Sequence, residues 1–135
     1  MAIDIEGLRT DAALEEEGVW TEVPLFGELL SMKIARLGNK AFERAQEARQ
    51  KPYINQIRAG TLSVEIQEKI LIECVARHIV KDWKDLTRGG EPFPYTPENA
   101  VWLLTNNRDL LNAIVRLSSD AEQYRQQQIE TDAGN

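Results

Sequence analysis

Between Asp82 and Leu104 the chain reads D-W-K-D-L-T-R-G-G-E-P-F-P-Y-T-P-E-N-A-V-W-L-L, and no single helix or strand can run through that stretch. Gly89-Gly90 supplies a turn in which positive φ carries no steric cost. Pro92, Pro94 and Pro97 each fix their own φ and push the residue before them out of the α region, so the chain between them stays extended. Thr96 followed by Pro97 then restarts a helix. The hydroxyl caps orphan N–H groups, and proline's missing donor costs nothing at the first helical position. Phe93 and Tyr95, alternate residues of an extended segment, point to one side and pin the connector onto the helices around it. The stretch is read as a clasp between helices.

At 135 residues the chain suits one domain around a single core. Its one cysteine excludes an intramolecular disulfide and fits a reducing compartment. The first residues, Met-Ala-Ile-Asp-Ile-Glu, are acidic where a signal peptide is basic and then apolar, and no apolar run approaches the roughly 20 residues of a membrane span. A soluble, cytosolic protein that does not enter a membrane is expected.

The net charge of −6 is unevenly spread. Residues 1–30 hold eight acids and one base, residues 31–90 twelve bases and seven acids, and residues 91–135 seven acids and three bases. A basic middle can mark a nucleic-acid surface, but a pI near 4.9 opposes tight phosphate binding, and no nucleic-acid partner is expected. The alternative is that the acidic arm and the basic segment meet, within one chain or between copies in a homo-oligomer.

The apolar pattern gives a mainly α fold: a small helical domain with an N-terminal β-hairpin, about residues 19–37, packed on a long central helix, about residues 62–87. Residues 1–18 form an acidic arm with too little periodicity for a firm element, residues 19–125 the helical domain, and residues 126–135 a polar, disordered tail. In the hairpin, Leu30, Met32 and Ile34 alternate with polar or small neighbours, Val19 to Val23 is the weaker partner, and Pro24 to Glu28 is the loop. Asn39 caps a short helix with a thin stripe of Ala41, Phe42, Ala45 and Ala48, ended by Pro52, and residues 53–60 have no clear shape. Ile66, Ile70, Leu71, Val75, Ile79, Val80, Trp83 and Leu86 follow the three-and-four spacing of the central helix. After the clasp comes a helix from Pro97 to about Leu104, a break at Asn106-Asn107, and a last helix carrying Leu110, Leu111, Ile114, Leu117, Ala121 and Tyr124.

Groups for catalysis are few. Cys74, His78 and Asp82 are spaced four apart and on a helix would share one face, a geometry that could hold zinc. With no fourth ligand or supporting shell evident, Cys74 is read as a core residue and His78 as a boundary residue, and no metal or cofactor is assigned. Gly89-Gly90 lacks the lysine and spacing of a phosphate cradle. No catalytic residue is assigned, and an enzyme is not expected. Partner binding is the better use of what remains. Leu25 and Phe26 sit at the hairpin tip. Trp102 lies on a short helix with apolar residues around most of its circumference. Arg44 and Arg49 stand on the basic segment.

Several segments in order carry a resemblance: Glu15-Glu16-Glu17-Gly18-Val19-Trp20, then Lys33-Ile34-Ala35-Arg36-Leu37-Gly38-Asn39 with Phe42, then Trp83, then Gly90-Glu91-Pro92-Phe93-Pro94-Tyr95-Thr96-Pro97-Glu98-Asn99-Ala100. Across about residues 7–125 the chain resembles the tail assembly chaperones of long-tailed (siphovirus-type) bacteriophages and prophages. The resemblance implies a small helical protein of the host cytoplasm that binds the tape-measure protein, keeps it soluble, helps to recruit the tail-tube protein and is absent from the mature virion. A structural virion component, such as a head–tail connector, is the alternative.

Overall fold

The structure, a computed structural model, describes residues 1–125. The expected tail at 126–135 lies outside the described residues.

The hairpin forms because its two strands alternate about a tight turn. Strand β1 (Val19–Leu25) pairs antiparallel with β2 (Glu28–Ile34), from Val19 opposite Ile34 to Leu25 opposite Glu28. Only Phe26 and Gly27 remain as the turn, with φ of 51° and 80°. Two positive φ values give a turn whose twist matches that of the strands, so the loop is shorter than Pro24 to Glu28. Pro24 is tolerated because β1 is an edge strand.

A third strand overturns the mainly helical expectation. Helix α4 (Val64–His78) ends well short of residue 87, and Val80–Trp83 forms strand β3, antiparallel to β2 on the side away from β1. Met32 lies opposite Trp83, Lys33 opposite Asp82 and Ile34 opposite Val80, so Lys81 is an extra, bulged residue. The bulge explains the misleading spacing. In a regular strand residues three apart face opposite sides, but one bulged residue restores them to the same side, and both Val80 and Trp83 are buried. A helix and a bulged strand therefore give the same three-residue apolar spacing. The fold is mixed α and β, with a three-stranded sheet in order β1-β2-β3 and a small ribbon beyond it.

That ribbon is the first half of the clasp. Thr87–Arg88 (β4) pairs with Glu91–Pro92 (β5) across Gly89-Gly90, and the Phe93 N–H donates to the Leu86 carbonyl at 2.9 Å. Phe93 and Tyr95 then meet one partner from two directions. The Phe93 ring stacks on Trp83 with centroids 5.6 Å apart, and Tyr95 meets Trp83 edge-on at 5.1 Å. The polar ends are satisfied too: Trp83 Nε1 donates to the Phe93 carbonyl at 2.7 Å, and the Tyr95 hydroxyl donates to the Val80 carbonyl at 2.8 Å. Trp83 can be buried and Tyr95 half-buried here because the extended backbone offers carbonyls to both.

The helices follow the sequence signals more closely. Asn39 caps α2 (Lys40–Gln50), and residues 51–59, without clear shape in the sequence, form a 3-10 turn and a short helix α3 (Ile54–Ala59). Thr96 caps α5 (Pro97–Asn106) with Pro97 in the first turn. Asn106 and Asn107 turn their side-chain amides back onto the carbonyls of Trp102 and Leu103, and α6 (Arg108–Ser118) begins at once. α6 stops before Tyr124, because Ser118 and Ser119 both bond the Val115 carbonyl and Asp120 caps a separate 3-10 turn, Ala121–Tyr124. Tyr124 is nevertheless fully buried, and its hydroxyl donates to the Ile34 carbonyl at 3.1 Å.

The arm has its own short helix, α1 (Ala12–Glu17), capped by Asp11. It is held at both of its own ends. The Asp11 N–H donates to the Tyr124 carbonyl at 2.7 Å, and the Arg36 N–H donates to the Glu15 carbonyl at 2.8 Å. Gly18 joins α1 to β1 with φ of 94°, and a Cβ there would stand 3.0 Å from the Ile34 carbonyl carbon. Sheet, α4, α5 and α6 enclose one core that includes Met32, Ile34, Val75, Val80, Leu104 and Ile114.

Candidate partner-binding surface

The sheet sorts the hairpin residues by face. Val23, Met32 and Ile34 point into the core, and Leu25 packs against it while remaining half-buried. The opposite face carries Trp20 paired with Lys33, Glu22 with Ser31, and Pro24 with Leu29. Phe26 is 82% exposed and Leu29 64% exposed, so with Pro24 they form an apolar tip on a two-residue turn. Glu22 and Glu28 are exposed beside it, and neither has an ion-pair partner among the described residues. Leu29 escaped the sequence reading, although the alternation that sends Leu30, Met32 and Ile34 inward already implies that Leu29 points out. Further along the same face the Lys84 ammonium stands 4.2 Å above the Trp20 ring.

Trp102 is placed differently from Phe26. Its ring meets Phe93 edge-to-face at 5.6 Å, the Arg88 guanidinium lies 3.7 Å above it, and the side chain is half-buried. The structure therefore brings Leu25 and Phe26 together at the tip and sets Trp102 apart, at the clasp.

Arg44 and Arg49 are both exposed on α2, but their surroundings differ. Arg44 has no ion-pair partner among the described residues. Arg49 approaches Glu73 of α4 at 3.5 Å, and Glu73 also accepts from Arg77 Nε at 2.8 Å. Next to this cluster, Pro52, Tyr53, Ile66 and Ile70 line a cleft of about 370 Å³ together with Arg49, Lys69 and Glu73. The acidic arm meets the basic segment through Glu15 and Arg36, whose side chains pair at 2.9 Å. Arg108 and Glu68 join α6 to α4 in the same way.

Cys74, His78 and Asp82 do not share a helix face, since Asp82 belongs to β3 and pairs with Lys33. Cys74 is fully buried on α4, and burial pushes its thiol pKa up. His78, the last residue of α4, has its pKa lowered by burial and then by the nearby cations Lys81, Arg49 and Arg77. Among the described residues no group of three or more His, Cys, Asp or Glu is placed to hold a metal ion, and no helix is long and apolar enough to cross a membrane.

The family model described as YdaY prophage protein matches residues 37–135. The chain belongs to the YdaY prophage protein family. It is a phage or prophage protein. The matched part holds α2 to α6, the clasp, Trp102, Arg44 and Arg49, while the arm and hairpin precede it. No curated protein and no solved structure matches the chain.

Proposed function

We propose that this prophage protein is a tail assembly chaperone that binds the tape-measure protein, keeps it soluble and helps to recruit tail-tube subunits. The observation that carries this reading is the hairpin tip, where Phe26 and Leu29 stand 82% and 64% exposed between Glu22 and Glu28. A holding chaperone needs apolar ground that an unassembled client can cover, and charge around it that keeps the chaperone in solution. It needs no catalytic group and no cofactor. Membership of a prophage family and the ordered resemblance from Glu15 to Ala100 favour the same reading. In it, Leu25 and Phe26 with Leu29 meet the client, and Trp102 offers what Arg88 and Phe93 leave of its ring. The protein is not an enzyme, works in the host cytoplasm without binding nucleic acid or membrane, and leaves before the tail is complete.

The test is a mass-spectrometric count of the chain in lysate of induced cells, in complexes captured through it, and in purified particles. Abundance in lysate with a long helical partner, and absence from particles, is the expected result. A fixed copy number in finished particles would make it a structural component, such as a head–tail connector, and the chaperone reading would fall.

A further inference from the structure

The hairpin tip has a counterpart on the same molecule that it does not touch. The tip is apolar with acids beside it: Phe26, Pro24 and Leu29, with Glu22 and Glu28. The cleft between α2 and α4 is apolar with a net excess of bases: Pro52, Tyr53, Ile66 and Ile70 line it with Arg49, Lys69 and Glu73, the one acid is shared by Arg49 and Arg77, and Lys51 precedes Pro52 in sequence. Lys51 and Lys69 are exposed and have no ion-pair partner among the described residues. Phe26 is 82% exposed within its own chain, so the cleft is not filled by its own tip.

The geometry points to a second copy of this chain as the occupant: the hairpin tip of one copy seats Phe26 in the α2–α4 cleft of the next. Charge chooses this partner. Glu22 and Glu28, which flank the tip from its two faces, would meet Lys69 and Lys51, and opposite patches on one surface each favour a neighbour that presents the other. Two tips cannot meet in this way, because both carry acids, and two clefts cannot, because both carry bases. The contact therefore joins two different patches, and it closes as a two-fold dimer when two copies exchange tips or as a ring or filament when each copy passes its tip to the next. It also protects the tip when no client covers it, so client and neighbouring copy compete for Phe26.

Sedimentation velocity on the purified full-length chain, over a range of protein and salt concentrations, tests the docking without any client. The sedimentation coefficient is expected to rise with protein concentration and to fall with added salt, which screens charges beyond roughly 10 Å at 0.1 M. Phe26→Asp, at a positive φ that aspartate tolerates better than most residues, should weaken association by about 30-fold or more, as loss of a central aromatic anchor does. Lys51→Glu with Lys69→Glu should do the same from the cleft side. Mixed together, the two variants should form a one-to-one dimer and nothing larger, because one keeps its cleft and the other its tip. Circular dichroism melts matching the parent show that both variants fold. A chain that stays monomeric at every concentration, variants that leave the oligomer unchanged, or a mixture of folded variants that stays monomeric would overturn the inference. None of these readings involves the tape-measure protein, so the docking and the chaperone function can fail separately.

Discussion

Asn39 shows how much a single buried polar side chain can hold. It is only 5% exposed, and all three of its bonds are made within the fold. Its Oδ1 accepts from the Phe42 N–H at 3.0 Å, and its Nδ2 donates to the carbonyls of Arg36 at 2.8 Å and His78 at 3.2 Å. The cap was legible in Gly38-Asn39 followed by an alanine-rich stripe. The bond to His78 was not, because nothing in local spacing records which distant carbonyl will lie above a cap. Replacing Asn39 with alanine removes the cap and the side-chain donor to the His78 carbonyl, while the Arg36 carbonyl keeps the Asn39 backbone N–H at 3.1 Å, so stability should fall by about 1–3 kcal/mol in urea unfolding. Asn39→Asp keeps the acceptor but loses both donors, and should recover only part of that loss. His78 gives a second reading at this scale. Its pKa is held below the ordinary 6.5 by burial first, and then by Lys81, Arg49 and Arg77. It is the only histidine, so proton NMR should show one imidazole titration with its midpoint below 6.5. A base depressed in the folded state takes up its proton first in the unfolded chain. The associated stability is present above pH 6.5 and is lost as pH falls below it.

At the scale of elements, the ends of α4 decide the architecture. Its beginning was legible: Ser63 accepts from the Ile66 N–H, and the apolar stripe starts there. Its end was not, because Ile79, Val80, Trp83 and Leu86 continue a helical spacing that a strand with one bulged residue also produces. The choice is made by tertiary pairing, since β2 needs a partner on its second edge and the Ala35 N–H already binds the Ile79 carbonyl at 2.7 Å. The bulge makes a contrast between two deletions. Removing Lys81 leaves Val80, Asp82 and Trp83 opposite Ile34, Lys33 and Met32, with both apolar residues still facing inward. Removing Lys33 from β2, which has no extra residue to absorb the change, turns either Met32 or Ile34 out of the core. The first deletion should melt within a few degrees of the parent, and the second should not give a cooperative melt. Equal damage from both would show that the bulge is needed to carry the chain from α4 into β3.

For the whole molecule, charge distribution was legible as asymmetry but not as geometry. The acidic arm does reach the basic segment, through one pair, Glu15 with Arg36, and through backbone bonds that tie the arm to both hairpin and C-terminal turn. Those ties bear on what the family match delimits. Residues 37–135 contain every helix from α2 onward but neither β1 nor β2. Without those strands β3 has no partner, Tyr124 loses the Ile34 carbonyl, and the inner faces of Val80, Trp83 and Ile114 meet water. Val23, Met32, Ile34 and Ala35, all fully buried, would be lost as well. At about 1.5–3 kcal/mol for each of the three larger side chains, the loss is about 5–9 kcal/mol, comparable with the whole stability of a typical domain at about 5–15 kcal/mol. A fragment of residues 37–135 should therefore keep helical circular dichroism but melt without a sharp transition, and a protease should cut it near Val80 faster than it cuts the full chain. A sharp melt with slow cleavage would mean that α2 to α6 form a core of their own and that the hairpin is an addition to it. In that case the tip could be exchanged between family members without changing the fold beneath it.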